Sequence, residues 1–257
     1  MSTTITPTRL RPRPPHRDAH APANTLARRR RPSSGESEPL PLQTSDLRPW
    51  ALLAAVGAAV VLPAGVRLHV SSTDLAVTQW FNAHRTGVVG LLATDLYRYL
   101  EPAYAAVLAL VIVGVLAWRR GWHRAVSVAL KAGIVYTPIV LLKAVFARPR
   151  PDTALLAHPM AMHPGDWSFP SGHTAFVVSL GAALVLASLD QRAARWAPWA
   201  ALAAALAMAV AVLTDGVHYP SDVLASIVWC LALVPLVWAV VTRWTAHLLP
   251  QAGVPRR

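Results

Sequence analysis

The stretch VLTDGVHYPSDVLAS, residues 212–226, places His218 four residues before Asp222, with a Pro-Ser pair between them. If Pro220 opens a helix, a position proline favours, His218 falls just outside it and Asp222 in its first turn. The carboxylate can then hold one imidazole nitrogen, which fixes the tautomer and leaves the other nitrogen free to attack. A plainer reading also fits: Asp222 complements the positive end of the helix and His218 is a loop residue. Asp215 adds a second carboxylate, at the end of the apolar run 200–213.

Two further clusters carry polar groups that a connecting loop does not need. In KAVFARPRP, residues 143–151, Lys143 closes an apolar segment and Arg148 and Arg150 follow at once. A lysine snorkelling to a membrane surface accounts for Lys143 alone. Three cations together ask for an anionic ligand. In SFPSGHTAF, residues 168–176, Pro170 and Ser171 open a helix and Gly172 lets the backbone approach a ligand closely. Free amides at such a helix start favour phosphate, although Ser171 can equally be a plain cap and His173 an interfacial polar residue. Combined, the clusters supply cations and amides for an oxyanion, one oriented histidine and a second histidine for proton transfer. Phosphoryl transfer needs charge stabilisation and positioning above all. No HExxH or carboxylate array is visible, and a zinc site from His158, His163, His173 and His218 matches no recognised spacing.

These residues must be held by a membrane protein. Of 257 residues 54% are hydrophobic and 14% charged, too apolar for a soluble domain of this length. Six apolar stretches are candidate spans: 50–68, 102–118, 125–146, 171–189, 198–213 and 223–241. The expectation is therefore an all-α, polytopic six-transmembrane-helix bundle over 49–242. A disordered basic tail precedes it over 1–48, and a short tail follows over 243–257. Arginine collects in the first tail, in 119–124, in 190–195 and at the carboxyl end, which puts both termini in the cytoplasm of a plasma membrane. The opposite, extracytoplasmic side receives 70–101, 147–170 and the turn at His218, so all three clusters face it. Within 74–85, Leu75, Val77, Trp80 and Phe81 mix with polar residues as in an interfacial helix or a simple loop helix. The net charge of +12 is spread over tails and short loops, which argues against a nucleic-acid partner. The ARRRRPSS run reads as retention charge rather than a lipid anchor, and no cleavable signal is visible. Cys230, the single cysteine, lies in an apolar segment and reads as packing.

With the clusters and spans in place, the sequence resembles the type 2 phosphatidic acid phosphatase (PAP2) superfamily. Lys143 to Pro151 fit K-x6-R-P, Pro170 to His173 read P-S-G-H, and His218 with Asp222 fits the H-x3-D of the third signature. The resemblance covers roughly 50–241. It implies a lipid phosphatase that cleaves phosphate monoesters or diphosphates at the extracytoplasmic face without a metal or cofactor. By the same resemblance His218 is the nucleophile that forms a phosphohistidine, Asp222 orients it and His173 protonates the leaving group. Lys143, Arg150, Ser171 and the Gly172 amide would bind the phosphoryl oxygens.

One departure stands out. The family's third signature begins Ser-Arg, and Ala211 and Val212 occupy those positions here. Arg148 is then the nearest candidate in sequence to substitute, and Asp215 is expected to pair with an arginine or to contact a head-group hydroxyl. A lipid-to-lipid head-group phosphotransferase and a non-catalytic lipid-binding relative are the alternatives to the phosphatase. The partner implied is a membrane lipid phosphate; neither the particular lipid nor an oligomeric state follows from the sequence.

Overall fold

The computed structural model describes residues 46–161, 166–189 and 192–248. The expectations for the basic amino-terminal run, for His163 and for residues 249–257 lie outside them. In chain order the α-helices are α1 (Arg48–Leu68), α2 (Leu75–Ala83), α3 (Gly87–Arg98), α4 (Pro102–Arg120), α5 (Trp122–Phe146), α6 (Gly172–Ser188), α7 (Ala197–Thr214) and α8 (Pro220–Leu248). Single 3-10 turns lie at Thr153–Leu155 and Arg192–Arg195. No strand occurs among the described residues.

Each of the six expected spans falls on one helix. Five of them, α1, α4, α5, α7 and α8, are long and apolar enough to cross a membrane; α6 is apolar but only 17 residues long. Its start is fixed by the Pro-Ser-Gly turn, where Ser171 accepts a hydrogen bond from the Thr174 amide (3.4 Å) and so caps the helix. Pro49, Pro102 and Pro198 open α1, α4 and α7, where the missing N–H costs no helical bond.

Helix α8 is the inner staff of the bundle, packed on α1, α5 and α6. Val135, Ile139, Ala175, Val178, Cys230 and Val234 form the core between α5, α6 and α8. The Cys230 thiol is buried there, as packing demands. Helices α1 and α8 meet backbone to side chain: a Cβ built on Gly57 would lie 2.4 Å from Ala232 Cβ. The outward faces are apolar, with Val66, Leu110 and Val145 each more than two-thirds exposed to what would be lipid.

Helix α2 inverts the usual amphipathic arrangement. Its Val77 and Trp80 are exposed, whereas Thr78 and Asn82 are fully buried. The reason is hydrogen bonding. Thr78 donates to the His218 carbonyl (3.1 Å), and Asn82 donates to the Thr214 and His158 carbonyls (3.0 Å each) and accepts from the His158 amide (2.8 Å). These bonds satisfy turn backbone that α7 and α8 leave open.

Candidate active site

The site grows from the turn between α7 and α8. Asp215 closes α7 and Gly216 reverses the chain at φ +72°, where a Cβ would also meet Leu156 at 2.5 Å. The turn delivers His218 just ahead of Pro220, with Asp222 in the first turn of α8. Both side chains are fully buried. His218 Nδ1 lies 3.3 Å from Asp222 Oδ2, and the Tyr219 amide donates to the same oxygen (2.9 Å). An imidazole protonated on Nδ1 fits this contact and turns its Nε2 lone pair outward. Nε2 is buried and has no hydrogen-bond partner among the described residues. Burial, with the cations Arg150 and Lys143 nearby, holds His218 well below the ordinary imidazole range, so the ring is neutral and its lone pair is available.

The cations arrive from the end of α5. Lys143 donates to the Trp167 carbonyl and lies 3.8 Å from Asp166. Arg150 donates to the Val217 carbonyl (2.6 Å), immediately before His218, and to Asp166 Oδ2 (2.5 Å). One carboxylate therefore bridges the two cations that the sequence assigns to an anion. Gly172, at the start of α6, is the third member: a Cβ there would stand 3.5 Å from Lys143 Cε. Ser171 is buried, and its hydroxyl meets that of Thr174 (3.0 Å). Its backbone is locked to α8, since its amide donates to the Asp222 carbonyl (3.1 Å) and its carbonyl accepts from Ser226 (2.8 Å). His173 stacks on Tyr97 of α3 with ring centroids 4.2 Å apart, and its Nε2 is buried without a partner among the described residues. It stands close enough to His218 to act on it electrostatically.

Arg148 and Asp215 have other engagements. Arg148 is 1% exposed and all four of its terminal N–H groups are taken: Nη1 by Ser221 Oγ and Asp222 Oδ1 (2.7 Å each), Nη2 by the Ser71 carbonyl (2.8 Å) and Asp74 (3.1 Å). Its guanidinium also lies 3.9 Å over the Tyr219 ring. It holds Asp222 and has no terminal N–H left for a second anion. Asp215 pairs with an arginine, Arg85 (2.8 Å), and accepts from Thr94 (3.0 Å). Burial raises its carboxyl above the usual range despite these partners. Val212, at the family's arginine position, is buried in an apolar cluster with Ala93, Tyr97 and Met208. His158 contributes backbone only, to Asn82 and Arg85, and no three His, Cys, Asp or Glu side chains gather as a metal set among the described residues.

Sequence reasoning missed Asp74, Arg85, Thr94, Tyr97 and Asp166. Tyr97 had a signal: Ala93, Tyr97 and Leu100 recur at i, i+4 and i+7 on one face of α3, and all three are buried. The others are polar residues in loops or short helices, where type and spacing say nothing about a partner far away in the chain.

The bundle, with five helices long and apolar enough to cross a membrane, sets a buried His–Asp pair beside two cations and a helix start. Residues 120–246 match the model of the PAP2 superfamily. The chain is 27% identical over 146 residues to the undecaprenyl-diphosphatase BcrC of Bacillus subtilis, covering 57% of this chain and 72% of that protein. Its fold is similar to the crystal structure of a transmembrane PAP2-type phosphatidylglycerolphosphate phosphatase from Bacillus subtilis. That match has a TM-score of 0.58 at 18% identity and covers 82% of this chain and all of the other.

Proposed function

We propose that this protein hydrolyses lipid phosphate monoesters or diphosphates at the extracytoplasmic face of the membrane, through a phosphohistidine on His218. The observation that carries the reading is His218 itself: neutral, its Nδ1 on Asp222, its Nε2 without a partner among the described residues, and Lys143 and Arg150 in electrostatic reach. In the first step Nε2 attacks phosphorus, an N–P bond forms and the P–O bond to the leaving group breaks. His173 gives its proton to the departing oxygen. In the second step water attacks phosphorus, the N–P bond breaks, His173 takes a proton from the water, and inorganic phosphate leaves. Lys143, Arg150 and the amides at Gly172 offset the charge that develops on the phosphoryl oxygens. The lipid substrate class rests on the PAP2 match and on the two similar Bacillus subtilis proteins, an undecaprenyl-diphosphatase and a phosphatidylglycerolphosphate phosphatase. The orientation rests on the arginines, which collect at the opposite ends of the helices.

The test is phosphate release from a panel of lipid mono- and diphosphates by the detergent-purified protein with chelator present. Release by the wild type and none by His218→Ala is the expected result; equal release by both would overturn the assignment of the nucleophile. One observation favours a head-group phosphotransferase: the apolar Val212 stands where the phosphatase signature has arginine. That reading predicts phosphoryl transfer to an acceptor lipid with no free phosphate.

A further inference from the structure

We infer that Asp74, in the loop before α2, is a positioning residue for His218, acting through Arg148 and Asp222. The inference rests on the reading of His218 as nucleophile, but its geometry is independent of the substrate. Asp74 occupies the N-cap of α2, where an aspartate ordinarily accepts a hydrogen bond from its own helix. It makes no such bond. Its carboxylate goes instead to another part of the fold, accepting from the Ser221 amide at the start of α8 (2.9 Å) and from Arg148 Nη2 (3.1 Å). A local cap is given up, and the turn that carries His218 and Asp222 gains a second anchor.

The chain of contacts is continuous. Asp74 holds one edge of the Arg148 guanidinium, and the other edge holds Asp222 Oδ1 (2.7 Å). Asp222 Oδ2 then meets the Tyr219 amide and His218 Nδ1. Two carboxylates therefore share one buried cation. A lone buried guanidinium would be costly, and Asp222 alone would have to compensate it. With Asp74 in place the cation is matched from both edges, and Asp222 stays a fixed carboxylate that can hold the imidazole. Asp74 lies outside residues 120–246 and outside every signature motif, so nothing in those motifs marks it.

The charged and titratable groups that face His218 are Asp222 on α8, His173 on α6, Lys143 at the end of α5, and Arg150 and Asp166 in the following loop. Arg148 and Asp74 act on it through Asp222. Opposite signs follow for two variants. Arg148→Met removes a cation from Asp222, so the imidazolium is better stabilised and His218 titrates at higher pH. Asp74→Asn leaves the Arg148 cation less neutralised, so His218 titrates at lower pH. Arg148→Lys keeps the charge without the fork, so the titration holds while the Nδ1–H tautomer loses population.

The experiment is ¹⁵N NMR of the imidazoles in the full chain in detergent, assigned with His218→Gln, with phosphate release measured on the same samples. Expected are opposite displacements of the His218 titration in the first two variants, and a fall in kcat of about 10- to 100-fold with KM unchanged, the range for groups that orient a reacting side chain. An unmoved titration and tautomer in all three variants overturns the inference. Displacements as expected in a protein that releases no phosphate sustain the positioning role and overturn the phosphatase reading. If Arg148→Met does not fold, Asp74→Asn and Arg148→Lys decide.

Discussion

The carboxyl-terminal part of the chain, from α5 to α8, and the short helices α2 and α3 contribute to one site in different ways. The first supplies groups with capacity to spare: the Nε2 atoms of His218 and His173 have no partner among the described residues, and Lys143 and Arg150 share a single, 39% exposed carboxylate. The second supplies groups that are used up. Thr78, Asn82, Arg85, Thr94 and Asp74 spend their polar atoms on the backbone or carboxylates of the α7–α8 turn and its neighbours. The groups that would react keep unpartnered ring nitrogens, and the side chains from 74–94 that brace the turn are hydrogen-bonded. An unsatisfied buried polar group is costly, and at His218 and His173 that cost falls where a substrate can relieve it.

The contrast breaks most sharply at Asp222. Asp222→Asn keeps the shape but loses the charge that fixes the imidazole. It is expected to lower kcat about 10³-fold or more, by analogy with the aspartate of serine-protease triads, in a steady-state assay of phosphate release. Arg150→Met is next, with a loss of about 10²- to 10³-fold, the usual cost of a missing oxyanion donor. If its thermal midpoint falls as far as its activity, the division between reactive and supporting groups is wrong.

The supporting side should fail in the opposite way. Arg85→Met leaves the buried Asp215 carboxylate uncompensated and is expected to cost on the order of 3 kcal/mol of stability, read as a lower thermal midpoint in detergent. Asp215→Asn in the same chain should recover part of it, whereas an additive double mutant would show the pair to be incidental. Acid provides a milder probe. His218 is held neutral in the folded chain, so below the ordinary imidazole value of about 6.5 the unfolded chain binds a proton that the folded one does not. Stability should therefore fall as pH drops from about 7 to 5, and fall less in His218→Gln; equal slopes would refute the buried neutral imidazole. The smallest effect is expected from Thr78→Val, which removes one hydrogen bond to the His218 carbonyl and should cost about 1 kcal/mol with kcat nearly kept.

The same division explains what the sequence could reveal. The spans were legible because apolar composition over a helix length is a local signal, and all six fall on helices. The start of the short α6 was legible in a different signal, the Pro-Ser-Gly turn, which opens the helix within a residue of where the sequence put it. Lys143, Arg150, Ser171, Gly172, His173, His218 and Asp222 stood out as candidates by residue type and spacing within each cluster, and the fold gathers them around the α7–α8 turn. Arg148 was noticed as a cation, yet its engagement with Asp222 and Asp74 depends on three-dimensional proximity. Asp74 and Arg85 were silent because their partners lie far along the chain: Arg148 is 74 residues and Ser221 147 residues from Asp74, and Asp215 is 130 residues from Arg85. Likewise the mixed apolar pattern of 74–85 suggested an interfacial helix or a simple loop helix, but not that Thr78 and Asn82 face inward to hold a turn.

The near contact of Gly57 with Ala232 reaches further than its own place in the bundle. Ala232 lies ten residues, about 15 Å of helix, below Asp222 on the same continuous α8. A methyl group at Gly57 would have to push the two rods apart at mid-depth, and a stiff rod pushed there swings at its tip. A position with no side chain thus constrains how closely α1 and α8 lie, and with it the end of α8 that carries Asp222.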